Sequence, residues 1–470
     1  MSNTINIALS ALTAAQTGIA TAGKNIANAS VDGYSRQQVI QGQEAGLGDG
    51  TAVTDIQRVF DSFLSAQQNA AQSASSKLQV QFNQIQMIND YFADPATGVG
   101  AALQDFFNSL QDVSVAPKDA TTRQGFLNSA NQLVAGFNDA QSLLTSINAN
   151  VDKKINASVA NINAIAQQIA NINAAILSAQ GQGVNNNQTL NALYDKRDLL
   201  ITELSKETSV KVVNNNNIYD VLVGNSQSLI SGTSVNSISA SQEVQDSTVY
   251  YKILFSNKTQ SIELSSDDMA GGQLQGLIDF KTDLLLKLQN TLRKIAYGIA
   301  HGVNQINAEG YTLAKDALGN LIKGGDIFVT PDVDKTEAFP FLNFAANLKL
   351  KINNVNQIAA SSEAANSGDN KNIVKMLALQ TQKSFDDVSS YSEAYAQLVS
   401  LVGSKTKELS LTNTTASTIL DHAKTAFQND AGVNLDEEAA NLIKYQQAYQ
   451  AAGKLIEISK LMFDTLMQVA

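Results

Sequence analysis

Between Phe126 and Ile176 a single apolar line runs through the chain: Phe126, Ala130, Leu133, Phe137, Ala140, Leu144, Ile147, Val151, Ile155, Ser158, Ile162, Ile165, Ile169, Ile172 and Ile176, at steps of four and three. That spacing holds residues on one face of an α-helix, whereas the faces of a strand alternate at every second residue. At about 1.5 Å per residue such a helix is roughly 80 Å long, more than the diameter of a small domain. It commits the chain to an elongated shape. The one irregularity, two successive steps of four from Ile147 through Val151 to Ile155, predicts a stutter where supercoiling relaxes.

Composition permits such a rod. Only four prolines occur in 470 residues, and proline is the strongest helix breaker. Aromatic residues make up 6% with no Trp, which suits narrow helix-to-helix seams better than a thick globular core. The length predicts about three domains.

Stripes of the same kind lie at both ends. Ile5, Leu9, Leu12, Gln16, Ile19, Gly23 and Ile26 predict an amphipathic helix, and Ala8, Ala11, Ala15, Ala22 and Gly23 thicken one side of it with small residues that admit a close neighbour. Leu442, Tyr445, Tyr449, Ala452, Ile456, Ser459, Phe463, Leu466 and Ala470 predict another, entered through a capping box of Asn434 and Glu437. Asp436, Glu437 and Glu438 place negative charge at the positive end of its macrodipole. Two helices alone bury little apolar surface, so both stripes are expected to meet further copies of the chain. The expected contact residues are Ile5, Leu9, Leu12, Ile19, Ile26, Leu442, Tyr445, Tyr449, Ile456, Phe463 and Leu466.

Between the ends, Asp32-Gly33 signals a turn, and Tyr34 to Phe60 reads as a connector with a hairpin-like excursion. Helices are expected over 71–92, 99–113, 190–205 and 273–307, and from Ile373 onward. The last includes a long helix over 387–428 that turns Tyr391, Tyr395, Leu398, Val402, Leu409, Thr412, Ile419 and Ala426 inward. Short alternating bursts from Val210 to Leu264, divided by Asn and Gly clusters, predict one small antiparallel β unit. Tyr311 to Ile352 reads as irregular and ends in a strand-like LKLKI. The expected fold is mainly α, an elongated multi-domain rod of long coiled-coil-like helices from both ends of the chain, with a small antiparallel β domain inserted in the middle. Its expected parts are 1–60 with 431–470 (terminal helices and connector), 61–205 with 273–310 and 358–430 (helical bundle), 206–272 (β domain) and 311–357 (short excursion).

The chemistry-bearing residues are sparse. A net charge of −11 argues against nucleic acid, which demands a dense basic face. There is no cysteine, and His301 and His422 stand far apart, so no nucleophile and base are assembled. GLGDG at 46–50 lacks the strand and helix of a phosphate loop, and 316–326 lacks the alternating acids of a calcium loop. Asp267-Asp268 and Asp386-Asp387 read as helix caps. No catalytic residue, cofactor or metal is expected. The first residues carry neither the basic region nor the continuous apolar core of a cleaved signal, and no run of 18 apolar residues predicts membrane insertion.

The stretch Asn25-Ile26-Ala27-Asn28-Ala29-Ser30-Val31-Asp32-Gly33-Tyr34-Ser35-Arg36-Gln37 resembles a signature of the axial proteins of the bacterial flagellum. Its GYSRQ ending is similar to that of the hook-associated protein 1 family, not to the hook and rod proteins. GVNLDEEAANLIKYQQAYQAAGKLI near the C-terminus, QDFFNSL at 104–110, LYDKRDLLITELS at 193–205, GDIF at 325–328 and GDNKN at 368–372 spread the resemblance along the chain. Asn25, Asn28, Gly33, Tyr34, Arg36, Asn434, Leu435, Asp436, Glu437 and Glu438 carry the two terminal motifs. The resemblance implies a structural, non-enzymatic protein of the hook-filament junction. Such a protein is exported through the flagellar type III channel from the cytoplasm, helped by an export chaperone, and assembles outside the cell as a ring of copies between hook protein and the next hook-associated protein. The short middle, one β unit and a stub at 311–352, departs from that pattern, so an additional outer domain of longer relatives is not expected. A hook or distal-rod protein is the alternative within the class, and a host-binding or immune-interacting role of the β domain the alternative outside it.

Overall fold

The computed structural model describes residues 2–43, 50–94, 98–181, 187–223, 227–245, 248–257, 260–264, 269, 271–330 and 344–469. Helix α1 (Ser2–Asn28) leads into a hairpin of β1 (Gln37–Gln43) and β2 (Thr51–Arg58). Four helices follow, α2 (Ser62–Phe92), α3 (Val99–Val115), α4 (Ala120–Gln180) and α5 (Asn187–Glu207). Strands β3 (Val210–Asn215), β4 (Ile218–Val223), β5 (Gln227–Ser231) and β6 (Ser234–Val235) form one antiparallel sheet. β7 (Ser237–Gln245), β8 (Thr248–Ser256) and β9 (Ser261–Leu264) form another. Helix α6 (Gly272–Asp279) passes through a π-helical turn, Phe280–Leu285, into α7 (Leu286–Glu309). A hairpin of β10 (Tyr311–Lys315) and β11 (Leu321–Lys323), the short helices α8 (Phe344–Asn347) and α9 (Lys371–Ala378), then α10 (Tyr391–Ala431) and α11 (Leu435–Val469) complete the chain.

The 61-residue α4 is the spine, about 90 Å long at about 1.5 Å per residue. Asp119 caps it by accepting the amides of Thr121 and Thr122 at 2.5 and 3.2 Å. Its buried line follows the expected stripe from Phe126 to Ile162, including the doubled step at Val151 and Ile155. Beyond Ile162 the line moves by one residue, to Ala166 and Asn173, leaving Ile165 and Ile172 half-buried. Against this spine pack α3, α5, α6, α7 and α8, with Phe106, Phe126 and Phe328 clustered in the core. Arg123, in the first turn of α4, is buried among backbone carbonyls. It donates to Pro117 O at 2.6 Å and to Val355 O and Ile358 O, each at 2.9 Å, so the loop before α9 is tied to the spine.

Several expectations are corrected. The antiparallel β unit expected over 210–264 is present but divided into two sheets, because pairing stops between β6 and β7. The helix expected over 273–307 is interrupted by the π turn. LKLKI forms no strand, only a single bridge from Leu350 to Phe328. Asp386 and Asp387 do not cap α10. Their backbones are left-handed, with φ of 49° and 58°, and the cap is Ser390. Its Oγ accepts the Glu393 amide at 3.2 Å while Glu393 accepts the Ser390 amide at 2.8 Å. Asp267 and Asp268, with residues 46–49 of GLGDG, lie outside the described residues. In the second half of α10 the inward line is Ala416, Leu420 and Ala423, facing Ala71 of α2. Thr412 and Ile419 point outward, because a long straight helix drifts off a seven-residue repeat.

The chain folds back on itself in pairs. Helix α10 lies along α2, and α11 lies along α1. Both ends of the sequence therefore share one end of the rod.

Candidate functional site: the terminal helix pair

Helices α1 and α11 run antiparallel. Gly18 of α1 meets Tyr445 of α11, while Arg36, just past α1, meets Glu437 at the start of α11. The face that α1 gives to this seam is its small-residue side. Ala8, Ala15, Gly18, Thr21, Ala22 and Asn25 are buried, and small side chains let two backbones come close. The Tyr445 ring sits directly over Gly18, where a Cβ would fall 2.5 Å from its Cγ and Cδ1. Burial pushes the Tyr445 hydroxyl above its ordinary pKa, and Glu438 adds to that shift. The expected α11 stripe supplies the other half of the seam, with Leu442, Tyr445 and Ile456 half-buried and Ala452 and Ser459 buried.

Two large apolar residues of α1, Ile5 and Leu9, stand clear of this seam. Ile5 and Leu9 are exposed, Leu9 by 55%, and Leu12, Ile19 and Ile26 are half-buried. On α11 the stripe emerges again at Phe463, 51% exposed, and Tyr449 is 38% exposed. The side chain of Leu466 lies outside the described residues. A second exposed line, Ile443, Leu455, Ile458 and Met462, had no place in the sequence reading because the Tyr445 stripe accounted for the helix. The window Asn3–Asn28 is long and apolar enough to cross a membrane by length and composition, with a mean hydropathy of 1.2, although polar residues interrupt its apolar run. In the fold its small-residue face is spent on α11.

The two terminal motifs meet in a polar corner at the base of the pair. Asn25 is fully buried. Its Nδ2 donates to Gln37 O at 2.8 Å, and its Oδ1 accepts the Gln37 amide at 3.0 Å and the Tyr34 hydroxyl at 2.7 Å. One asparagine thus ties the end of α1 to the entry of β1. Asn28 Nδ2 donates to Lys24 O at 2.8 Å, and Gly33 takes the left-handed turn, φ 78°, that a side chain rarely adopts. Arg36 N donates to Ala431 O at 2.8 Å, and its guanidinium donates to Glu437 at 2.9 Å. Asn434 Oδ1 caps α11 by accepting the amides of Asp436 and Glu437 at 3.0 and 3.4 Å. Glu437 therefore serves the Arg36 ion pair and not the return bond of the expected box. Leu435 and Asp436 are exposed, whereas Glu438 is buried. Burial, then Asp195 and Glu438, hold the Tyr34 hydroxyl well above its ordinary pKa, so it stays a donor to Asn25. None of this arrangement is set up for bond chemistry. Among the described residues no three His, Asp or Glu side chains converge to hold a metal.

A family model described as the flagellar hook-associated protein FlgK helical domain matches residues 85–328. The chain belongs to the FlgK family of flagellar hook-associated proteins. A second model, the C-terminal segment of flagellar basal body rod FlgEFG proteins, matches residues 425–469, the end of α10 and α11. Flagellar hook-associated protein 1 of Salmonella typhimurium and that of Escherichia coli are each 29% identical to this chain across the full length of both. The protein of that name in Bacillus subtilis is 24% identical over 97% of this chain and 96% of its own. The fold is similar to that of the flagellar hook junction protein FlgK from Burkholderia pseudomallei, with a TM-score of 0.66 at 16% identity, covering 77% of this chain and 99% of the other. The FlgK-family protein described here is a structural component of the flagellum, and the family match favours a hook-associated protein over the hook or distal-rod alternative.

Proposed function

We propose that this FlgK-family chain forms the junction between hook and filament, assembling through α1 and α11 with further copies of itself. One observation carries the reading. The α1/α11 seam is closed with small residues, and the large apolar side chains Ile5, Leu9, Ile443, Leu455, Ile458 and Phe463 remain on its outside. Exposed apolar lines along both helices of a two-helix pair mark an association surface. In a ring of copies, neighbours cover these lines. The hook protein lies on one side of the ring and the next hook-associated protein on the other. The chain reaches that place by type III export, held by an export chaperone in the cytoplasm and assembled outside the cell. Its role is mechanical, not enzymatic. Deleting residues 434–470 is the test: the truncated chain is exported and leaves hooks uncapped, and normal capping by it would refute the reading.

A further inference from the structure

The motif LYDKRDLLITELS lies on α5, away from the α1/α11 seam, and its Asp195, Asp198 and Leu199 share one helix face with Asn191, which stands just before it. That face holds the connector between the terminal pair and the bundle at four points. Asn191 Nδ2 donates to Ile56 O at 2.7 Å. Arg58 of β2 donates to Asp195 at 3.1 Å and also to Asp198. Leu199 Cβ lies 3.0 Å from where a Cβ on Gly33 would stand. The Arg58 guanidinium carbon lies over the Phe60 ring, 4.2 Å from its centre, and Phe60 meets Phe427 of α10 edge-on at 6.1 Å.

Apolar packing does not hold this joint on its other side. β2, the start of α2, α5 and the β3–β4 sheet border an open groove of about 1020 Å³, lined by Arg58, Phe60, Asn69, Tyr194 and Asp198 among others. A connector spanning an open groove depends on directed bonds for much of its hold on that side. The side chains that supply them are nearly closed off from water, with Arg58 9%, Asp195 10% and Asp198 15% exposed. Burial pushes both carboxyls above their ordinary pKa, and Arg58 opposes that shift. Arg58 itself is held above its ordinary value, because the two carboxylates outweigh the burial that disfavours its charge.

We propose that this α5 face, with Arg58 locked between Asp195 and Asp198, is a positioning device that sets the angle between the terminal helix pair and the bundle. The purpose rests on the junction reading, since an assembly contact must be presented at one angle for copies to close a ring. The geometry does not depend on that reading.

The chain has no cysteine, so Gln38→Cys on β1 and Ala174→Cys on α4, both exposed positions, carry a pair of spin labels in the full-length monomer. Electron-electron distance measurement gives a single narrow peak in the parent chain. In Arg58→Gln that peak is lost to a broad distribution, while the thermal transition of the bundle is kept. Asn191→Ala, which leaves the Arg58 ion pairs intact, broadens it to a lesser degree and serves if Arg58→Gln fails to fold. An unchanged narrow peak in Asn191→Ala and in folded Arg58→Gln overturns the proposal. So does a parent chain that is already broad. Because the distance is read on the monomer, a failed junction reading would appear only in hook capping and leave this result intact.

Discussion

Placing an alanine at Gly18 tests the terminal seam most sharply, because a second glycine on the same helix provides the control. A Cβ at Gly18 falls 2.5 Å from Tyr445 Cγ and Cδ1 and 2.7 Å from Cε1. Carbon atoms rest about 3.5–4.0 Å apart, so the ring or the whole helix must give by about 1 Å. Overpacking of this kind costs about 1–3 kcal/mol. Alanine in a helix interior also gains about 0.5–1 kcal/mol over glycine. At Gly23 nothing lies within 4 Å of the added carbon, so Gly23→Ala receives the gain without the clash. The two variants therefore differ by the overpacking cost alone, with opposite signs relative to the parent when that cost exceeds the gain. Native-state amide exchange in α1 reports the opening free energy of the pair. Exchange in Gly18→Ala is expected to run about five- to a hundredfold faster than in Gly23→Ala, since about 1.4 kcal/mol is a factor of ten. Trimming the ring as well, in Gly18→Ala with Tyr445→Ala, should cost less than the sum of the single changes, because the second change makes room for the first. If both glycine variants slow exchange equally, Tyr445 does not sit on Gly18 and the seam is wrong.

Other perturbations reach the bundle. Arg123→Met removes the donor from three backbone carbonyls, those of Pro117, Val355 and Ile358, and is expected to cost about 3 kcal/mol or more in denaturant unfolding; a loss below about 1 kcal/mol would show that water replaces the guanidinium. Tyr395 packs over Gly100, and burial pushes its hydroxyl up to about 12. Folded Tyr395 thus ionises less readily than an unfolded tyrosine near pH 10. Its contribution is whole below about pH 10 and is lost as the pH rises toward 12, on the order of 2 kcal/mol. Alkaline melts of the parent and Tyr395→Phe check this, because the variant should lose less stability over that window.

The spine and the helix pairing were legible because they are periodic. Each residue from Phe126 to Ile162 in the α4 stripe is buried, since a repeat of that length leaves one face available for a core. Asn434 could be read as a cap because capping is local. What could not be read is pairing across the sequence. Arg36 meets Glu437 across 401 positions, and Arg58 meets Asp195 across 137; no spacing rule joins such residues. The stripes of α1 and α11 are expected to meet further copies, but no pattern says that within one chain Tyr445 sits over Gly18 and small residues close the pair. Sequence pattern marks which face is apolar, and only packing decides whether the large or the small side meets the partner in the same chain. The swing at Ile165 and Ile419 has the same origin, because 3.6 residues per turn drift against a seven-residue repeat.

The central claim is that α1 and α11 are contacts between copies. Imaging hooks decorated with this protein, at a resolution that shows helices, tests it directly. The account predicts that Ile5, Leu9, Ile443, Leu455, Ile458 and Phe463 lie against the terminal helices of neighbouring copies. Terminal helices that stand in solvent, with copies joined through the bundle or the β3–β9 sheets instead, would contradict it.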